Sequence, residues 1–172
     1  YLAIAALLLI GIVWYAKLIS ANPKGLKVLI HVVSNIKKDD GPPCVAFDIA
    51  YASLVVGNQV ELLFDSEAAW NLKRTEPDGK SDFDRYEVPA DLKQLVIAQL
   101  KEKDLLSVKD FGGFLELLSK KGALISVNGT WNVLTSVEKE LKGKTKMSSY
   151  VNPLTLKEMV EHLNLAERYY QY

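Results

Sequence analysis

Asn128 closes the run Ala123-Leu124-Ile125-Ser126-Val127, the pattern of a buried strand that stops at the polar turn Asn128-Gly129-Thr130-Trp131. In open α/β sheets, ligands and chemistry gather beyond the carboxyl ends of the strands, so these four residues mark the expected ligand pocket. Cys44 is the one thiol of the chain. It follows Pro42-Pro43 in the first turn of an expected helix, where a cysteine can have a depressed pKa and act as a nucleophile. The competing reading is that Cys44 fills space, as free cysteines often do.

Other candidates carry less chemistry. His31 falls inside a strand pattern and His162 on a helix pattern, without ligand spacing, so no metal and no cofactor is expected. Asp110-Phe111-Gly112 matches a kinase magnesium motif in letters only, since no glycine-rich loop or catalytic-loop motif accompanies it. Gly112 and Gly113 then read as a helix irregularity. Asn128-Gly129-Thr130 is formally a glycosylation sequon, but a turn after a buried strand explains it better.

The elements that must position these residues alternate. Leu26–Val33 is a β-branched run and reads as the first strand. Pro42 and Pro43 open a helix through about Val56, closed by Gly57-Asn58. Gln59–Phe64 is a second strand, and Asp65 or Ser66 caps a short helix over Glu67–Lys73. The charged stretch Arg74–Glu87 reads as a solvated excursion. Pro89–Glu102 is amphipathic, with Leu92, Leu95, Val96 and Leu100 on one face. Val108–Lys120 is a helix, Ala123–Val127 a strand, Val133–Leu141 a helix and Met147–Val151 a last short strand. A final helix runs from Leu154 towards Arg168, and the mixed charges of Glu138–Lys146 read as a solvated face. Strands separated by helices require crossovers. The expected fold class is therefore α/β, a flavodoxin-like three-layer sandwich with a mainly parallel sheet.

The helix 44–56 is apolar nearly all round, with Asp48 and Ser53 its main polar positions. Such a helix needs cover on more than one side, so it is a candidate interface for a protein partner or a homo-oligomer.

Tyr1 to Ala16 carries no charge, and as a helix it spans about 24 Å at ~1.5 Å per residue. Leu18 and Ile19 extend the run, Lys17 can snorkel to the headgroups, and Trp14-Tyr15 form an interfacial pair. Residues 1–20 are expected to be a single-pass transmembrane anchor, with residues 21–172 forming one α/β domain. Lys17, Lys24 and Lys27 tilt the expected side of that domain towards the cytoplasm, a balance that basic residues before Tyr1 would reverse.

Composition excludes some classes. Lys plus Arg and Asp plus Glu are both 21, so no basic field points to nucleic acid. One cysteine allows neither an internal disulfide nor a zinc site.

The order of these parts resembles the DsrE/DsrF-like domain of sulfur relay proteins. Lys27–Val33, the alanine-rich helix Ala46–Gly57, Val60–Phe64 and the Lys121-Gly122 turn before Ala123–Val127 carry the likeness. The resemblance implies a flavodoxin-like parallel sheet, and a persulfide-carrying cysteine near the end of the strand after the Lys-Gly turn. Here that place holds Asn128, and an amide cannot become a persulfide. The expected function is therefore a membrane-anchored accessory or interaction subunit of a membrane-associated complex, not an enzyme. The alternative is a persulfide carrier or sulfurtransferase that uses Cys44, with Asn128, Gly129, Thr130 and Trp131 lining its pocket.

Overall fold

The computed structural model describes residues 25–172. The expected anchor, residues 1–20, lies outside the described residues. Among those described, no helix is long and apolar enough to cross a membrane.

Five strands of the described residues form one sheet, each pairing parallel to its neighbours: β1 (Lys27–Val32), β2 (Gln59–Phe64), β3 (Leu124–Asn128), β4 (Val151–Leu154) and β5 (Arg168–Gln171). Their spatial order is β4-β3-β2-β1-β5. The chain steps outward from β1 to β4, then returns across the sheet to place β5 on the other side of β1. That reversal makes the β1–β5 boundary a topological switch point, where open parallel sheets put their binding crevices.

Among the described residues six α-helices lie in the connections: α1 (Gly41–Val55), α2 (Ser66–Trp70), α3 (Ala90–Leu100), α4 (Phe111–Lys120), α5 (Gly129–Leu134) and α6 (Leu156–Leu165). The main core lies on one face of the sheet. Val28, Ile30, Val32, Val60, Leu62 and Phe64 point there against Ala46, Phe47, Ala50 and Tyr51 of α1 and Phe114 of α4. Phe47 sits at its centre, with ring centroids 5.5 to 6.2 Å from Phe83, Phe111, Phe114 and Phe64. On the opposite face Leu29, Leu63 and Leu154 meet Met159 of α6 and Ala166. The α/β class and the parallel, layered sheet agree with the sequence expectation.

Several expected elements differ. Arg74–Glu87 is not wholly solvated, because Phe83 is fully buried against Phe47 and Phe64. Gly112 lies in regular α4, where a Cβ would meet Asp84 Oδ1 at 1.9 Å, so it is a close approach and not an irregularity. The helix expected over Val133–Leu141 instead starts at Gly129 and ends at Leu134. Glu138 is buried within the supposed solvated face, accepting from Lys146 N at 2.6 Å and Thr145 Oγ1 at 2.8 Å. The fourth strand falls over Val151–Leu154, where Pro153 is tolerated because β4 is an edge. The last helix stops at Leu165, and the chain adds β5.

A capping box starts α6: Thr155 Oγ1 accepts from Glu158 N, and the Glu158 carboxylate accepts from Thr155 N at 2.8 Å. Hydrogen bonds from Lys142, then from Thr155 N and Oγ1, hold the Glu158 carboxyl down at about 2. Because this folded value is lower than the ordinary one, the contribution is whole above about pH 4.5 and is lost as pH falls through about 2. Thr155→Ala is expected to cost about 1 kcal/mol in urea unfolding at pH 7. A loss near zero at that pH would mean α6 does not depend on its cap.

Candidate functional site

The carboxyl ends of β3, β2, β1 and β5 carry a continuous polar row on the α6 face of the sheet. Asn128 is both the last residue of β3 and the N-cap of α5, and its Oδ1 accepts from Trp131 N at 3.1 Å. Its Nδ2 donates to Asp65 Oδ1 at 2.9 Å. Asp65 follows β2, and the same Oδ1 accepts from Ser66 N at 2.6 Å to cap α2. Ser66 has φ of 50°, the left-handed region, which costs a non-glycine residue about 1 kcal/mol or more. Such strain at a strand end persists where the surroundings fix the turn.

Asp65 Oδ2 lies 3.5 Å from His31 Nε2, an ion-pair separation and longer than a well-formed hydrogen bond. The other ring nitrogen, Nδ1, is 2.8 Å from the Tyr169 hydroxyl, which itself donates to Gln171 Oε1 at 2.9 Å. With the phenol proton directed to Gln171, His31 Nδ1 is left to donate to the phenol oxygen. Burial pushes the Asp65 carboxyl up, but the His31 ring, Ser66 N and the Asn128 amide outweigh it and leave Asp65 below its ordinary value. The arrangement holds the Asp65 carboxylate beside the His31 imidazole, with the ring tied through Nδ1 to the Tyr169 hydroxyl. Its carboxylate, imidazole and phenol are the reactive groups it offers, and none of the residues in the row is a thiol.

Sequence reasoning found Asn128 and identified Asp65 only as a cap. It set His31 aside for want of ligand spacing, and it assigned Tyr169, which follows the last expected helix, to no element. The structure brings Asn128, Asp65, His31 and Tyr169 together at the β1–β5 switch point and its flank.

The remaining predicted residues sit close to Asn128. Gly129 is buried with no room for a side chain: a Cβ would lie 2.1 Å from Leu141 O and 2.9 Å from Leu154 O. Thr130 is half-buried in the first turn of α5. Trp131 packs beside Trp70, with ring centroids 6.2 Å apart, and its buried Nε1 has no hydrogen-bond partner.

Cys44 sits in the first turn of α1, beyond the carboxyl end of β1, and is half-buried. Burial, then the carboxylates of Asp48 and Asp40, push its thiol up to about 11. Helix position alone does not activate it, because two acids on and beside its own helix oppose the thiolate.

Asp48 is itself raised to about 6 by burial, and its Oδ1 is buried without a partner. A folded-state value above the unfolded 3.8 means that protonation favours the fold. Stability is then full below about pH 4 and declines as pH rises through about 6. Asp48→Asn is expected to flatten that decline and raise stability at pH 8 by about 1 to 2 kcal/mol, allowing for solvent screening of a partly exposed group. Thermal melts of both proteins from pH 4 to 8 check this, and parallel curves would contradict it.

No family model and no curated protein sequence matches the chain. Among solved structures, the chain is similar to the crystal structure of the ychN protein from E. coli, with a TM-score of 0.50. The alignment covers 86% of this chain and 99% of that chain at 12% identity. The likeness is one of fold. That likeness supports the layered α/β architecture with a parallel sheet expected from the sequence.

Proposed function

We propose that this chain is a DsrE-like domain that has lost the sulfur-carrying thiol and serves as an accessory or interaction subunit of a membrane-associated complex, tethered through residues 1–20. The observation that carries this reading is the state of Asn128. Its amide is committed on both sides, capping α5 and donating to Asp65, at the strand end where the resemblance places a cysteine. An amide held this way builds structure and takes up no sulfane sulfur. The ychN fold likeness supports the architecture this argument uses.

Cys44 as a replacement carrier has the raised thiol against it. The partner surface would include the outer side of α1, where Val45 is exposed.

Two measurements test the proposal. Intact-mass analysis after polysulfide treatment of the folded protein is expected to show no adduct on Cys44. An adduct that passes to an acceptor thiol, and vanishes in Cys44→Ser, would establish the carrier in its place. Purification of the full chain from native membranes in mild detergent is expected to bring down a partner or a self-associated species. A lone monomer would remove the interaction role.

A further inference from the structure

We infer that the amino-terminal end of the sheet is a membrane-facing surface that rests on the bilayer, so that the polar rim at the opposite end is held out towards water. This deepens the anchored reading given above and rests on it.

Three observations meet at that end. The first is where the chain enters. Gly25 is clamped on the α1–β2 turn: a Cβ there would lie 1.9 Å from Gly57 O, leaving no space for any side chain. Leu26 N donates to Asn58 Oδ1 at 3.0 Å, and Gln59 N donates to Leu26 O at 3.0 Å. Entry is therefore fixed at the amino end of β1. If the anchor ends near residue 20, five Cα–Cα steps remain, at most about 18 Å of extended chain. The amino end of the sheet is then confined to the neighbourhood of the bilayer.

The second observation is what that end exposes. Leu165 at the end of α6 is 58% exposed, Leu124 at the start of β3 is 56% exposed, and Val56 after α1 is 71% exposed. Leu124 and Leu165 border a cleft of about 410 Å³ that opens between the starts of β1, β2 and β3 and the end of α6. Large aliphatic side chains gathered where a tether emerges suit the interfacial layer of a membrane, where burying them regains the hydrophobic term.

The third is that the charges there are of both signs. Glu61 accepts from or pairs with His162 Nδ1 at 2.8 Å, and Lys121 pairs with Asp104. Lys27 and Arg168 stand beside Glu167, whose carboxylate accepts from Lys27 N and whose carbonyl accepts from Arg168 Nη1. The end therefore presents no field of one sign, and the contact it makes is apolar, independent of anionic lipid. The partner that fits is a zwitterionic phospholipid surface.

Along the strands the rim lies at the far end: His31 is four residues beyond Lys27, about 13 Å at ~3.3 Å per residue.

The experiment uses the full chain in phosphatidylcholine vesicles, in a Cys44→Ala background, with one fluorophore placed by Leu124→Cys, Val56→Cys or Asp39→Cys. Circular dichroism of each labelled protein must match the parent. Nitroxide-bearing phosphatidylcholine is expected to quench the labels at 124 and 56 several-fold more than the label at 39, with little change between low and high salt. Equal quenching at all three sites in a chain that floats with the vesicles overturns the orientation while leaving the anchor intact. A chain that does not float overturns the anchor and the orientation together. A label at 124 that is shielded from aqueous quencher but not reached by lipid nitroxide places protein in the cleft, either residues 1–24 or a second copy, and overturns the lipid contact.

Discussion

Asn128→Cys, combined with Asp65→Asn, is expected to turn a chain that takes up no sulfane sulfur into one that takes up a single sulfur atom. The thiolate sulfur at position 128 would attack a terminal sulfur of the polysulfide. One sulfur–sulfur bond breaks, the persulfide bond forms, and a polysulfide one atom shorter leaves with the electron pair. Geometry makes the single Asn128→Cys variant slower. Asp65 Oδ1 is 2.9 Å from the present amide nitrogen, so an anion at 128 would face an anion at 65. A like charge at that range raises a thiol by about one unit or more, so neutralising Asp65 should speed uptake roughly tenfold or more at pH 7. Loss of the α5 cap and of the amide bond to Asp65 should cost about 1 to 2 kcal/mol, which urea unfolding will report. Intact-mass analysis follows the added sulfur. If both variants are folded and neither gains it, the end of β3 is not a sulfur-accepting seat and the inference from Asn128 fails.

Gly129→Ala should damage the same corner without touching its chemistry. At an ordinary helical position this change gains up to about 1 kcal/mol, because alanine is the better helix former. Here the added Cβ meets two carbonyl oxygens, Leu141 O at 2.1 Å and Leu154 O at 2.9 Å. Both are backbone atoms, one of them in β4, so relief requires moving a strand or the loop before it. The expected cost is about 3 kcal/mol or more, roughly a 10 °C fall in melting temperature for a domain of this size. Gly113→Ala in α4 is the matched control. Its Cβ would meet only Asp110 Oδ1, at 3.4 Å, and the variant should be neutral or slightly more stable. Equal effects of the two substitutions would show that the crowding at Gly129 does not govern stability.

The parts of this fold that were legible are those whose signal is local. β1 and β2 announce themselves because strands buried on both faces read as unbroken aliphatic runs. The turn at Asn128 shows because a polar, glycine-containing stretch stops such a run. β5 does not show: Arg168-Tyr169-Tyr170-Gln171 is short, exposed throughout and lacks alternation, and its pairing with β1 spans most of the chain. Half of the rim was hidden for that reason, since His31 has no visible role until Tyr169 stands beside it. Pro153 disguised β4, because proline argues against a strand unless an edge position is known. Glu138 misled in the opposite way. A carboxylate amid mixed charges looks solvated, and only the folded loop shows it gathering Lys146 N and Thr145 Oγ1.

The pairing of the first strand with the last has a consequence for how the protein comes into being. Val28 to His31 align with Arg168 to Gln171, and Tyr172 N donates to His31 O at 2.9 Å. During synthesis β1 emerges early but must wait with one edge open until the ribosome has released some 140 further residues. A nascent chain can order the aromatic core around Phe47 well before that moment. The imidazole of His31 meets its phenol partner only at the end, so a ribosome-stalled intermediate would be compact yet have an unfinished rim.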